Sequence, residues 1–453
     1  MSYSDRIHRY ILNDKNIVLD INSGAVHLVD DLVYHILDYY SKNTLEEIVD
    51  LLKDRYDEKS IIQAYREIKV LESEGMLYSE PTNLDGMEYN KDNIVKALCL
   101  HVAHDCNLRC KYCFASQGDF KGDRSLMSLD VGKRALELLV KNSGNRRNLE
   151  VDFFGGEPLM NFDLVKKLVY YGRELEEKNN KHFRFTITTN GVLLNEDNID
   201  FINKHMDNVV LSLDGRKEIN DNMRKTVSGD GSYDIILPKF KELIEKRGDK
   251  EYYIRGTFTS YNIDFAKDAL DFYEKGFKKI SIEPVVTSPD MDYALREEHI
   301  EPVLEEYEKF SKDYIKIKKM DRNFLFFHFM IDLNQGPCII KRAVGCGAGS
   351  EYMAVTPEGD LYPCHQFVGD EDFKIGDVFK GVINIDIREQ FKKANVYNKT
   401  ECRNCWARFY CSGGCHANAY NHHKDIMKPY EIGCEMEKKR IECAISILAN
   451  LEG

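Results

Sequence analysis

The stretch CNLRCKYCF places Cys106, Cys110 and Cys113 with three and then two residues between them. Three thiolates can hold three irons of a cubane 4Fe-4S cluster and leave the fourth iron open to another ligand. The alternative is a zinc ion completed by a distant fourth ligand. Nine more cysteines follow residue 330, namely Cys338, Cys346, Cys364, Cys402, Cys405, Cys411, Cys415, Cys434 and Cys443. A lone pair such as Cys402-x2-Cys405 would read first as zinc. The 453 residues are 43% hydrophobic and 31% charged, which describes a soluble globular protein of two or three domains. The first fifteen residues contain no apolar signal region, and no later segment approaches ~18 uncharged apolar residues. A cytoplasmic location is therefore expected, where thirteen cysteines point to metal ligation or redox chemistry rather than disulfides. A formal net charge of -13 gives no footprint for nucleic acid or a membrane surface as partner.

The elements that must carry these cysteines fall into three blocks. Residues 1–80 begin with short β-like runs, HRYIL, NIVLD and AVHLV, separated by Asn-Asp and Asn-Ser-Gly turns. Three helical patterns follow, the second behind a predicted N-cap at Asn43-Thr44. This is the pattern of a winged-helix-like module. Its 16 acidic and 9 basic residues argue against DNA and favour a variant that accepts a peptide strand on a sheet edge. Residues 81–94, polar and turn-rich, are read as a linker. From Val95 onward six strand-like runs, ALCLHVA, NLEVDFF, FRFTITT, NVVLSL, YYIRGTF and KISIEPVV, alternate with amphipathic stretches. That alternation predicts an α/β fold, a partial (β/α)6 barrel over 95–330 with an open side and its chemistry at the carboxyl ends of the strands. Residues 331–453 form a cysteine-rich lobe expected to be held by metal more than by a core.

The cysteine triad, with Tyr112 before its third thiol, resembles that of the radical S-adenosylmethionine (SAM) superfamily, whose open iron binds the cofactor's methionine part. The later strand ends carry the resemblance further. Gly155, Gly156, Glu157 and Pro158 match the family's GGEP loop, where two residues without Cβ admit a ligand and a carboxylate suits its ammonium. TTNG and SLDG place Thr189, Asn190, Ser212 and Asp214 at the same mouth; each motif alone is an ordinary strand-ending turn. The resemblance assigns these positions to the ribose and methionine carboxylate, and Arg224 to that carboxylate. It implies one-electron cleavage of SAM by the cluster, hydrogen-atom abstraction from a substrate by the resulting 5′-deoxyadenosyl radical, and an external one-electron reductant such as flavodoxin or ferredoxin.

The seven-cysteine pattern from Cys346 to Cys434 resembles the SPASM extension of radical enzymes that modify peptides, which holds two auxiliary 4Fe-4S clusters. That likeness gives three clusters in all, with Cys402, Cys405, Cys411 and Cys434 on an outer cluster and Cys346, Cys364 and Cys415 on an inner one. Cys338 either completes the inner set or stands aside to leave an iron open for a substrate thiolate, and a reaction that needs a bound sulfur favours the second. Cys99 and Cys443 read as buried apolar residues. Anaerobic sulfatase maturases share the layout but carry an aspartate after the cysteine equivalent to Cys364, where this sequence has His365. An amino-terminal recognition module joined to a barrel and SPASM lobe resembles the clostridial maturases of cysteine-rich "six cysteines in forty-five" precursors. The expected activity is thioether crosslinking of a ribosomally made peptide whose leader is held by residues 1–80. Formylglycine formation, carbon-carbon crosslinking and epimerisation stand as alternatives.

Overall fold

The computed structural model describes residues 2–81, 89–333 and 343–452. Cys338 and half of the expected linker lie outside the described residues. At the amino end, strands β1 (Ile7–Leu12), β2 (Lys15–Asp20) and β3 (Val26–Val29) form an antiparallel sheet in that order. Asn13 and Asn-following Asp14 have φ of 51° and 60°, the left-handed pair that closes a two-residue hairpin. Helices α1 (Asp31–Tyr39), α2 (Leu45–Leu52) and α3 (Glu58–Ser73) start at Asp30, Thr44 and Asp57, whose side chains accept from backbone amides of the first turn. Thr44 and Glu47 form a full capping box. The three helices close over Val18, with Ile36, Ile48, Ile61 and Ile68 in the shared core.

Strand β2 is buried on both faces. Val18 enters the helical core, while Ile17 and Leu19 pack on Ala407, Ile441 and Ile445. The last two belong to the carboxyl-terminal helix Glu431–Glu452. His8 and Tyr10 of β1 also reach Glu442 on that helix, through its side chain at 2.9 Å and its carbonyl at 3.1 Å.

The six expected strands are present as β4 (Ala97–His104), β5 (Asn148–Gly155), β6 (His182–Thr189), β7 (Asn208–Ser212), β8 (Tyr253–Phe258) and β9 (Lys279–Pro284). They are parallel and neighbour each other in chain order. Leu149, Val151 and Phe153 of β5, and Phe183, Phe185 and Ile187 of β6, turn outward and are at most 1% exposed beneath the helices. The opposite face carries Cys99, His101, Asp152, Thr188, Ser212, Arg255 and Glu283. Period-two alternation therefore separates an apolar outer layer from a polar interior. The sheet does not close. Leu325–Phe326 adds to β9, and Tyr352–Val355 adds parallel to β4, followed by three short antiparallel strands.

The carboxyl-terminal lobe differs from the sequence expectation in having an apolar core. Phe367, Phe373, Phe391 and Ile426 cluster with Tyr362 and Ala417. Scattered aromatics in short turns and one short helix leave no periodic run, so this core is invisible to a search for periodicity. Cys99 and Cys443 are both 0% exposed, as expected of small apolar residues.

Ile17→Ala should cost about 2–5 kcal/mol, the range for truncating a buried isoleucine. Because Ile17 packs across the two lobes, the loss should show as earlier proteolysis between the amino-terminal sheet and the barrel, as well as a lower unfolding midpoint.

Candidate functional site

The first three cysteines follow β4. Cys110 ends a short strand, Leu108–Cys110, that pairs antiparallel with Arg224–Thr226, setting Arg224 directly opposite Cys110. Arg224 Nε stands 3.1 Å from Asp214 Oδ1, and its guanidinium lies 5.5 Å from the Tyr112 ring centre. Tyr112 donates its hydroxyl to both Asp214 oxygens, at 2.8 and 2.6 Å, and the Thr257 amide donates to Asp214 at 3.0 Å. Asp214 is 0% exposed. Its oxygens are engaged by Tyr112, Thr257 and Arg224, so it holds these groups together beside the site.

Glu157 is 1% exposed. It accepts from Thr189 Oγ1 at 2.6 Å, Leu159 N at 3.0 Å and Asn190 N at 2.8 Å. Burial nevertheless pushes its carboxyl up to about 7, so the ionised form lacks a cation within the protein. The glycines before it are required by space. A Cβ on Gly155 would stand 2.2 Å from the Ala103 carbonyl, and one on Gly156 2.2 Å from that of Asp105. Asn190 Nδ2 lies 3.6 Å from the Cys106 sulfur and 2.9 Å from Asn107 Oδ1.

These groups surround one cavity, with about 980 Å³ of empty space including its mouth, the size of a small-cofactor site. Cys106, Cys110, Cys113, Tyr112, Glu157 and Asn190 line it, as do Gly155, Gly156, Ser212 and Arg224. Sequence reasoning missed Arg255 and Glu283, which also line it and face each other at 3.5 Å. Arg255 holds the Glu283 carboxyl down at about 2. Their signal was a charge at the inward phase of YYIRGTF and of KISIEPVV. Gly118 was missed as well. With φ of +108°, it has no room for a Cβ, which would sit 2.6 Å from that of Cys106.

Gln366, two residues beyond Cys364, lines the same cavity. His365 packs on Phe114 and Phe154 of the barrel, at 5.3 and 5.2 Å between ring centres. Cys364, Cys346 and Cys415 are close enough that the charge of each sulfur acts on another. Cys402, Cys405, Cys411 and Cys434 meet elsewhere, around a second cavity that is also walled by Ile7, His8 and Trp406. His8 stacks on Trp406 at 3.8 Å.

The donor sets fit iron-sulfur clusters. Burial pushes the thiols of Cys106, Cys110, Cys411 and Cys434 up to about 12, and buried thiolates at neutral pH need a compensating cation such as iron. Among the described residues no three His, Cys, Asp or Glu side chains converge as one metal ion would require.

The family model of the radical SAM superfamily matches residues 100–259, and that of an iron-sulfur cluster-binding domain, SPASM, matches residues 346–406. The uncharacterized protein MJ0907 of Methanocaldococcus jannaschii is 31% identical over 219 residues, covering 48% of this chain and 70% of that protein. The chain thus belongs to the radical SAM superfamily and carries a SPASM domain after its barrel. It is 28% identical over 343 residues to a cysteine-type anaerobic sulfatase-maturating enzyme of Clostridium novyi, covering 70% of this chain and 86% of the relative. To the radical SAM cyclopropyl synthase TigE of Paramaledivibacter caminithermalis it is 22% identical over 472 residues, 94% and 92% of the two chains. Among solved structures it resembles native anSMEcpe with bound AdoMet (TM-score 0.65, 23% identity, 79% of this chain and 99% of that one). It also resembles Streptococcus suis SuiB bound to precursor peptide SuiA (TM-score 0.52, 17% identity, 95% and 98%).

Gly156→Ala should displace the Asp105 backbone beside Cys106 at a cost of about 1–3 kcal/mol. We expect loss of iron from the first cysteine site with retention at the carboxyl-terminal sites, read by iron analysis of the variant and of one with Cys106, Cys110 and Cys113 replaced.

Proposed function

We propose that this chain is a peptide maturase that joins cysteine sulfur to a carbon of an acceptor residue in a ribosomally made, cysteine-rich peptide. The observation that carries this reading is the shared cavity: Gln366, two residues beyond Cys364, lines the space lined by the first three cysteines, and His365 packs on Phe114 and Phe154, which line it too. A substrate thiolate held at the inner cysteine set would thus face the groups proposed to hold SAM. SAM and the first cluster, when bound, supply a hydrogen-atom acceptor. Loss of that atom, of the thiol proton and of one electron balances formation of the carbon-sulfur bond, and a cluster held by Cys346, Cys364 and Cys415 or by Cys402, Cys405, Cys411 and Cys434 would supply an acceptor for the electron. Resetting the first cluster draws on an external one-electron donor such as flavodoxin or ferredoxin.

The chain's own residues orient and exclude. Glu157 takes the methionine ammonium, because a buried carboxylate already satisfied by three neutral donors still lacks a positive charge. Arg224 takes the carboxylate; its guanidinium lines the cavity while Asp214 and Tyr112 hold it in place. Asn190 and Ser212 flank the ribose. Aromatic packing of Phe114 and Phe154 against His365 keeps water from the mouth. The leader peptide adds to the edge of β3, which among the described residues pairs with β2 alone. SuiB has been solved with its precursor peptide across a similar overall fold.

The relatives favour a second reading within the same class, since one is a sulfatase-maturating enzyme and another a cyclopropyl synthase. Anaerobic incubation of the reconstituted enzyme with SAM, reductant and the cysteine-rich peptide, followed by mass spectrometry and thiol alkylation, separates the outcomes. Thioether formation removes two hydrogens per bridge and makes one cysteine per bridge unalkylatable with its sulfur retained. Formylglycine formation removes the sulfur, and carbon-carbon closure leaves every thiol alkylatable; either result would overturn the thioether reading.

Two substitutions test the roles. Leu28, 48% exposed on β3, should bind leader peptide about tenfold more weakly as Leu28→Asp, a loss of ~1.4 kcal/mol, with SAM cleavage unchanged. SAM affinity should rise with pH up to about 7, where Glu157 ionises, and flatten above. The sign follows from the raised carboxyl: below that pH a proton occupies the group and competes with the ammonium. Glu157→Gln should bind weakly and lose the pH dependence, as measured by equilibrium dialysis.

A further inference from the structure

The outer cysteine set is flanked by two buried cations without a carboxylate. Lys399 is 1% exposed, and its Nζ donates to the Gly413 carbonyl at 2.7 Å. Gly413 sits in the loop that joins Cys411 to Cys415. Arg408 is 5% exposed and donates to two neutral acceptors, the Cys405 carbonyl at 3.1 Å and Asn22 Oδ1 at 2.6 Å. Among the described residues neither cation pairs with an Asp or Glu, and the acceptors of both are neutral. The sulfurs of Cys402, Cys411, Cys434 and Cys415 act on Lys399, and Tyr397 and Cys405 act on Arg408. A buried charge is kept only where an opposite charge meets it, and here the sulfurs are what these cations have to meet.

We propose that Lys399 and Arg408 are the counter-ions of an iron-sulfur cluster held by Cys402, Cys405, Cys411 and Cys434, and that they raise its reduction potential. The inference rests on the cluster reading of those four cysteines. One-electron reduction adds one negative charge to the cluster, with no bond made or broken. A fixed cation in a dry shell stabilises that more negative state more than the oxidised one. Lys399 also acts on Cys415 of the inner set, but three of its four sulfurs belong to the outer one. The bias therefore favours the outer site as the place where an electron rests. Both are positioning residues, touching neither peptide nor SAM.

The test uses the full chain with Cys106, Cys110 and Cys113 replaced by alanine, so that signals come from the auxiliary sites alone. Iron and sulfide are quantified first, then an anaerobic redox titration is followed by electron paramagnetic resonance. Lys399→Gln keeps a donor for Gly413 and removes the charge; Lys399→Arg keeps the charge. With parental iron content, Lys399→Gln should lower the reduced-to-oxidised ratio of one cluster about tenfold at a fixed potential, ~59 mV for one electron. Lys399→Arg should stay near the parent, and Arg408→Gln should shift the same cluster in the same direction. Unchanged potentials at parental iron content in both glutamine variants would overturn the proposal while leaving the cluster reading intact. Should both glutamine variants lose iron, retention in Lys399→Arg and Arg408→Lys would support a counter-ion needed for assembly. Loss in all four would overturn it in favour of a packing role. A parent without auxiliary iron would overturn the cluster reading itself.

Discussion

The buried ion pair of Asp214 and Arg224 is the joint on which the barrel mouth depends. Asp214 ends the run from β7, Thr257 lies on β8, Tyr112 lies within the cysteine loop, and Arg224 sits on the short strand opposite Cys110. Four separated segments therefore meet on one fully buried carboxylate. A carboxylate in that position is tolerable only while its donors stay in place. Geometry of the cysteine loop is thus enforced by charge satisfaction as well as by backbone pairing. The glycines serve the same end from the other side: Gly118, Gly155 and Gly156 let three backbones close around Cys106 where any Cβ would collide.

Around this joint the barrel divides its labour between faces. Outward residues of each strand form a dry core with the helices, so stability does not need the interior. The interior is then free to hold polar groups, and Arg255 with Glu283 occupies it as an ion pair at 3.5 Å. Openness at both edges has a structural consequence as well. Tyr352–Val355 hydrogen-bonds to β4, so the carboxyl-terminal lobe begins as part of the barrel sheet and its Cys364 is delivered to the barrel's own mouth.

Much of this was legible. Period-two alternation gave all six strands because each has one face against helices, and Asn43-Thr44 marked a helix start because an N-cap is a local hydrogen-bond pattern. The cysteine triad and the glycine-rich loop were legible because their chemistry depends on short spacing. What SLDG does not show is the approach of Tyr112 to Asp214, 102 residues away in sequence, because the contact is made only by the fold. Arg255 and Glu283 were overlooked because a single charge in an apolar strand has no neighbouring pattern. The core of Phe367, Phe373 and Phe391 escaped for a related reason, since the first two come from single 3-10 turns and the third from a short helix, with no repeat linking them.

The two-sided burial of β2 has a further bearing on how the lobes work together. Val18 belongs to the amino-terminal core, while Ile17 and Leu19 lie on the helix that also bears Cys434. On the outer face of the same sheet is the free edge of β3, the proposed seat of the leader. The path between the proposed peptide seat and the outer cysteine set is therefore one strand packed on one helix. Asn22, just past β2, accepts from Arg408 beside those cysteines, and His8 of β1 stacks on Trp406 within the Cys405 turn. A peptide that tightens this sheet would tighten the wall of the outer cavity as well, because Ile17, Leu19 and His8 pack directly on that wall. The amino-terminal module, on this geometry, shares one wall with the outer cysteine set, so the proposed peptide seat and the proposed outer cluster are neighbours.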